Sequence, residues 1–465
     1  MAFVALTVAG LGMRLPWLAE DLFSRLDPLV GLAALVASRR AIAFWATALV
    51  TVALTVAFGR AWCGWLCPVG TLLDVLPAAP RGRAPKLRGG WRLGKYVTLA
   101  VVAGAAASGT LSPMVLDPVT IVTRPLQELA RPFAGTDAIA VNAGASIGRY
   151  AFRAIALLSL VPLAAVVGLN ALGRRGWCRA LCPLGGLLAL LARLPGVRRA
   201  VGAGACTGCA RCASGCPTWA VERAEGFASR SEECMLCMRC ADRCPEGAIS
   251  FRPVPAAVLT PAFRPERREA LVALGVTAAS LAVAALPLRA DATTLRPPGT
   301  DEARLARLCV RCGACYSACP SASLRPSLSL TSPAGLWTPM LDERPVHCTL
   351  SCNRCARVCP TDALHTLSDW EQVMLGIGTV ARVDRRRCRA WGGGRSCMVC
   401  RGACPITGAL TQTQAPGRFG GTVGAPVVDV EACVGCNQCA RVCPEMPPAI
   451  RVPGSKAPGL PVGPA

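Results

Sequence analysis

At 465 residues, with 53% apolar residues, a mean hydropathy of +0.43 and 28 cysteines, the chain has room for roughly two to four domains and is too long and too apolar for a secreted disulfide scaffold. The net charge of +23 raises nucleic acid as a partner, but the basic residues cluster beside apolar segments, where the positive-inside rule and anionic lipid account for them. His347 and His365 are the only histidines and no C-x2-C-H run occurs, so covalently attached haem is not supported.

In chain order, residues 1–13 are apolar but short for a bilayer core, which needs roughly 17 to 25 residues. They read as a clipped first span. Ala41 to Phe58, Leu93 to Leu111 and Ala151 to Leu172 come nearer to spanning length. Between the first two of these lie Arg60, Arg81, Arg83, Lys86, Arg88 and Arg92 against the single acid Asp74. After the last come Arg174, Arg175, Arg179, Arg193, Arg198 and Arg199 with no acid. Such loops are expected on the cytoplasmic side. The opposite loops mix Arg14, Arg25, Arg124 and Arg131 with Glu20, Asp21, Asp27, Asp117, Glu128 and Asp137, as expected outside.

This part contains an internal repeat. WCGWLCPVGTLLDVL is matched by WCRALCPLGGLLALL, giving Trp-Cys-x3-Cys-Pro-x-Gly-x-Leu-Leu twice. In a helix, Cys63 and Cys67, or Cys178 and Cys182, share one face. If the halves meet about a pseudo-twofold, the four thiols converge on a further metal centre or form redox-active pairs. The alternative is that the motif only shapes a helix break.

The stretch from Cys206 to Cys244 reads CTGCARCASGCP and then CMLCMRCADRCP. Each half is C-x2-C-x2-C-x3-C-P, the spacing by which bacterial ferredoxins hold 4Fe-4S clusters, with the fourth cysteine serving the other cluster. That predicts Cys206, Cys209 and Cys212 with Cys244, and Cys234, Cys237 and Cys240 with Cys216. Structural zinc is the competing occupant, but zinc sites favour paired C-x2-C knuckles over a continuous run closed by Cys-Pro.

Residues 250–308 form a boundary: Pro253, Pro255, Pro261 and Pro265 break regular structure, and Arg267-Arg268 opens an apolar run to Leu288 with small residues near Ala290 and Ala292. These are the parts of a twin-arginine signal; a fifth membrane span is the competitor, and an uncleaved signal would be both. Four more quartets follow, each closed by Cys-Pro: Cys309, Cys312, Cys315 and Cys319; Cys348, Cys352, Cys355 and Cys359; Cys388, Cys397, Cys400 and Cys404; Cys433, Cys436, Cys439 and Cys443. The middle two open with gaps of three and eight residues. Their pairing, sequential or nested, stays open. Six quartets predict six 4Fe-4S clusters, with a seventh centre on Cys63, Cys67, Cys178 and Cys182 as an option. Gly392-Gly393-Gly394 is an isolated run, no dinucleotide fingerprint follows a strand, and no acid–base or nucleophilic set has helpful spacing.

The two Trp-Cys-x3-Cys-Pro elements with ferredoxin quartets behind them resemble the NapH family of membrane quinol dehydrogenase subunits, over roughly residues 1–262. From 264 onward the quartets resemble the NapG (MauM/NapG) type of four-cluster, twin-arginine-exported ferredoxin, so that the chain looks like a fusion of the two. The resemblance implies an α-helical membrane domain of about four spans (1–200), a cytoplasmic two-cluster ferredoxin domain (201–262), a signal or anchor (263–292) and a periplasmic four-cluster domain (293–465), the ferredoxin parts being α+β. It implies location at the bacterial inner membrane, the lipid bilayer and quinol pool as partners, and electron relay as part of a quinol dehydrogenase to a periplasmic reductase or cytochrome acceptor. The alternative is an electron-donating maturation factor of the NosR or CcoG type.

Overall fold

The architecture is that of a computed structural model, which describes residues 22–40, 46–76, 89–130, 146–171, 173–194, 196–202, 204–223, 226–254, 267–284, 295–320, 323–327, 335–341, 348, 352–368, 371, 374–375 and 380–452. The apolar stretch 1–13 with Arg14, Glu20 and Asp21, the basic segment 81–88, Arg131 and Asp137, the prolines Pro255, Pro261 and Pro265, and the small residues at 290–292 lie outside the described residues. The chain divides into two compact units, one of Met1–Leu126, Ala156–Leu286 and Val310–Cys312, the other of Gln127–Ile155, Pro287–Cys309 and Gly313–Ala465.

After a single helical turn at Leu22–Arg25 the first unit has helix α1 (Pro28–Ser38), whose first turn is closed by the Asp27 carboxylate accepting from the N–H groups of Leu29 and Val30 at 2.8 and 3.3 Å. There follow α2 (Ala48–Phe58), α3 (Ala61–Trp65), α4 (Pro68–Val75), α5 (Gly94–Ala107), α6 (Pro118–Ala130, in this unit as far as Leu126), α7 (Ser146–Ala171, in this unit from Ala156), α8 (Gly176–Ala180) and α9 (Pro183–Leu191). Strand β1 (Gly196–Val201) pairs antiparallel with β2 (Ile249–Val254), from Gly196 opposite Val254 to Val201 opposite Ile249, and between them lie α10 (Arg211–Gly215) and α11 (Arg239–Asp242). The last helix is α12 (Arg267–Ala284). Helix α5 is the spine, because α1, α9 and α12 all pack on it. Gly186 of α9 sits where a Cβ would stand 2.7 Å from the Lys95 carbonyl, so a side chain there would push α9 off α5.

The expected spans are not built. Helix α2 has 11 residues and α5 has 14, which at about 1.5 Å per residue is roughly 16 and 21 Å against a hydrocarbon core of about 30 Å. Helix α7 carries Pro162 inside it, and α12 opens on Arg267, Arg268 and Glu269. Among the described residues no helix is long and apolar enough to cross a membrane. The charges tell the same story, since of the eight described arginines counted towards the cytoplasmic loops five, Arg60, Arg175, Arg179, Arg198 and Arg199, are buried. The supposed outer-loop acids Asp27 and Asp117 are buried as well, Asp27 capping α1 and Asp117 Oδ2 accepting from the Thr120 N–H in α6 at 2.9 Å. Burial and the facing Asp117 push the Asp27 carboxyl well above the usual carboxylate range. Charge bias therefore measured internal pairing. The membrane domain and the membrane-span reading of the run after Arg267-Arg268 are corrected on these findings, and with them go the bilayer and quinol pool as partners, the quinol dehydrogenase role, the inner-membrane location and the NapH-type half.

The second unit has α13 (Glu302–Leu308), capped by Asp301, then α14 (Ala314–Ala318), the strand pair β3 (Leu324–Pro326) and β4 (Pro339–Leu341), and α15 (Arg354–Arg357). Strand β5 (Arg382–Val383), helix α16 (Val399–Gly402), the hairpin of β6 (Leu410–Pro416) and β7 (Thr422–Val428), α17 (Gln438–Arg441) and β8 (Ile450–Arg451) complete it, β8 returning to pair with β5. Leu295, Tyr316, Leu324, Leu341, Leu410 and Ile450 form its core, and cysteine sulfurs pack directly against them. Cys400 and Cys439 themselves belong to this core.

One interaction in the first unit has a measurable weight. Glu233 accepts from Lys95 Nζ at 2.6 Å and pairs with Arg60 at 3.3 Å, all three side chains being at most 3% exposed. Burial lowers the Lys95 ammonium to about 8 even with Glu233 beside it. Replacing Glu233 with Gln strands two buried cations, an expected loss on the order of 3–5 kcal/mol in chemical denaturation. A loss under about 1 kcal/mol would mean that the interior already tolerates those charges unpaired.

Candidate metal centres

Each regular quartet folds the same way, and the reason lies in the two residues that flank its second cysteine. Gly208 and Ala210, Leu236 and Met238, Arg311 and Gly313, and Gly435 and Asn437 all have φ between 48° and 84°. Alternating left-handed residues turn successive N–H groups to one side, which makes a concavity for an anion such as a thiolate-bound cluster. Five of the eight are not glycine, and each of those costs about 1–2 kcal/mol, a strain retained where function needs it. The irregular quartets lack this feature at the equivalent place: Asn353 and Met398 have φ of −106° and −130°. A short helix then carries the third cysteine, as α10 carries Cys212 and α11 carries Cys240.

The fourth cysteine leaves its own run. Cys206, Cys209 and Cys212 line one cavity with Cys244, and Cys234, Cys237 and Cys240 line a second with Cys216. In the other unit, Cys388, Cys397 and Cys400 share a cavity with Cys443. Cys404 lies within electrostatic reach of Cys433 and Cys436, and Cys319 of Cys348 and Cys355. Consecutive quartets are thus drawn together, the sequential pairing of the two that spacing left open. Among the described residues no group of three or more His, Cys, Asp or Glu side chains is gathered so as to hold a metal ion. A four-iron cube instead spreads its thiolates over its corners.

Burial pushes the thiols up, to about 12 at Cys234, Cys348 and Cys355 and to about 11 at Cys400. Backbone donors work the other way. The N–H of Ala220 reaches Cys216 Sγ at 3.3 Å, and that of Ala449 reaches Cys443 Sγ at 3.3 Å. Such N–H to sulfur contacts favour the thiolate and the more negative state of anything bound to it. The donor set therefore fits clusters, whose ligands must be deprotonated on binding.

The remaining cysteines, Cys63, Cys67, Cys178 and Cys182, are all buried and lie within electrostatic reach of one another. Reading the sequence missed what stands beside them, namely the guanidinium groups of Arg60 and Arg175. A signal existed, because an arginine stands three positions before the first cysteine of each repeat.

Comparison with known proteins agrees with the cysteine pattern. Residues 41–86 and 155–201 match a 4Fe-4S binding domain family, 205–249 and 308–363 match two 4Fe-4S dicluster domain families, and 426–446 match a further 4Fe-4S binding domain family. The chain is 35% identical over 191 residues to the ferredoxin-type protein NapG of Escherichia coli, covering 39% of this chain and 78% of that protein. It is 35% identical over 164 residues to the methylamine utilization ferredoxin-type protein MauM of Methylobacillus flagellatus, covering 35% of this chain and 68% of that one. With MauM of Paracoccus denitrificans the identity is 35% over 182 residues, 38% of this chain and 78% of the relative. No solved structure matches. Multiple 4Fe-4S binding domains are present, and the relatedness is to NapG and MauM rather than to a fusion with a membrane-spanning partner.

The crossed cavities generate a selective test. Cys244→Ser should damage the cluster of Cys206, Cys209 and Cys212 and spare that of Cys234, Cys237 and Cys240 in Mössbauer and paramagnetic resonance spectra. Damage confined to the second cluster would mean that each run closes its own cage.

Proposed function

Since this chain belongs to the NapG/MauM family of ferredoxin-type proteins, we propose that it is an iron–sulfur electron-transfer protein carrying six 4Fe-4S clusters in three two-cluster arrangements. The observation that supports this most is the crossed grouping of cysteines, three from one run with the last of its neighbour, which recurs in both units. The ligand sets would be Cys206, Cys209, Cys212 and Cys244; Cys234, Cys237, Cys240 and Cys216; Cys348, Cys352, Cys355 and Cys319; Cys388, Cys397, Cys400 and Cys443; and Cys433, Cys436, Cys439 and Cys404, which leaves Cys309, Cys312 and Cys315 to Cys359. Residues 201–262 and 293–465 are the cluster-bearing domains in this reading.

When bound, each cluster supplies a site that accepts and releases one electron. The protein's share is position and electrostatics. Short helices and left-handed pairs hold the thiols at fixed corners, and main-chain N–H groups donate to the sulfurs. Arg199 lines both cavities of the 206–244 pair. Burial raises the Cys240 thiol, and the Arg199 guanidinium beside it pulls it back towards the anion. One buried cation thus serves two sites. Cys209 is exposed, whereas the other cysteines are partly or fully buried, so its edge is where a redox partner protein would approach.

Anaerobically purified protein should contain at least about 24 irons and as many acid-labile sulfides. Zinc in their place would sink the proposal. Arg199→Gln should lower the potentials of two clusters together, because a positive charge that favours the reduced state is lost from both. Redox titration that moved only one would deny Arg199 its shared role.

A further inference from the structure

The two Trp-Cys elements form one object. Residues 60–70 and 175–185 both read Arg-x-Trp-Cys-x3-Cys-Pro-x-Gly. Each folds as a short helix, α3 or α8, then an extended cysteine, Cys67 or Cys182, that starts a proline-led helix, α4 or α9. The arginines cross over. Arg175 Nη1 donates to the Cys63 carbonyl at 2.6 Å and Nη2 to the Gly70 carbonyl at 3.1 Å, while Arg60 Nη2 donates to the Cys178 carbonyl at 3.5 Å. The glycines make room reciprocally: a Cβ at Gly70 would stand 3.1 Å from Arg175 Nη1, and one at Gly185 would stand 3.0 Å from Arg60 Nη2. Each repeat therefore clasps the first cysteine of the other.

Buried cations gather inside this clasp. Arg60 and Lys95 share Glu233, with the buried Glu232 also within electrostatic reach of Lys95, and Arg175 and Arg239 share Asp74. Arg60, Arg175 and Lys95 are at most 1% exposed, and buried charge without a partner is costly. Arg60 lies within electrostatic reach of the buried thiols of Cys63 and Cys182, and Arg175 of those of Cys67 and Cys178. Four thiolates around a 4Fe-4S core in its +2 state carry two negative charges, opposite in sign to the two guanidinium groups of Arg60 and Arg175. The clasp also grips the neighbouring cysteine run, through Trp65 Nε1 to the Leu236 carbonyl at 3.1 Å, Arg60 Nη1 to the Glu232 carbonyl at 3.1 Å and Arg175 Nη1 to Met235 Sδ at 2.9 Å.

We propose that Cys63, Cys67, Cys178 and Cys182 together ligate a seventh, iron–sulfur centre shared between the two repeats, with Arg60 and Arg175 as its counter-ions, set against the Cys234–Cys237 run. The proposal rests on the electron-transfer reading above and extends it to residues outside the ferredoxin quartets. Neither repeat can hold the centre alone.

The test is metal counting on the full chain, purified anaerobically, beside Cys63→Ser and Cys178→Ser. Unmodified protein should hold about 28 irons, and each substitution should remove about four irons with four sulfides, leaving the six ferredoxin signals. Both variants should lose the same spectroscopic feature. Arg60→Gln should keep the iron and lower the potential of that feature. Should the variants fail to fold, the iron count of the unmodified protein decides. About 24 irons per chain, or one zinc in place of the last four irons, overturns the shared centre while leaving the six-cluster reading intact. Iron far below about 24 with no cluster signal would sink both.

Discussion

A proline directly after the last cysteine of every quartet is the constraint from which most of this structure follows. It stops the short helix that carries the third cysteine and leaves the fourth in extended backbone, as at Cys216 and Cys319 with ψ of 117° and 109°. A sulfur so placed turns away from the three before it. The chain must then bring a second run alongside, and β1 with β2, and β5 with β8, close antiparallel around two of the three pairs to do so. The fold is in this sense a consequence of cysteines that cannot complete their own cages. It also explains why thin two-stranded sheets suffice, because the sulfurs and whatever they bind take the place of apolar core.

The first unit meets a second demand, that of placing cations in its interior. Glu233 immediately precedes Cys234 and holds both Lys95 of α5 and Arg60 at the start of α3, so one carboxylate joins the spine helix, the first repeat and a cysteine run. Asp74 does the same for the second repeat through Arg175 and for α11 through Arg239. Buried pairs of this kind add little net stability compared with apolar packing, yet breaking one is expensive. What they contribute is register. Arg179 stacked 3.7 Å from the ring centroid of Trp219 adds another fixed contact between a repeat and the first cysteine run.

These features were unequally legible. The cysteine runs could be read directly, because ligand spacing is local and Cys-Pro marks where each run ends. The pairing of Cys244 with the first run was legible too, whereas the equal spacings beyond residue 309 fit either order and only the packing of α14 with α15 and α16 with α17 distinguishes them. Apolar composition misled the reading of residues 41–172. A run rich in Ala, Val and Leu looks alike whether it is one long helix or several short ones, and the breaks at Gly59, Ser108 and Gly173 are backbone events that hydropathy averages away. Arginine counts misled for a related reason, since charge in a sequence carries no sign of burial. Arg60 and Arg198 look like loop residues until Glu233 and the carbonyls of Ala192 and Leu194 are found around their guanidinium groups.

The left-handed pairs are the part no composition argument could reach. Gly208, Gly313 and Gly435 hint at them, but Ala210, Leu236, Met238, Arg311 and Asn437 adopt the same backbone without any residue preference to announce it. If the free chain carried that strain with no return, glycine would be the better residue at all eight places. An occupant that draws N–H groups inward makes the strained backbone the favoured one, so binding energy and local conformation become a single term. The irregular quartets bear this out from the other side: with longer gaps ahead of Cys352 and Cys397, the chain has enough slack to bring the thiols into place, and Asn353 and Met398 stay in ordinary backbone.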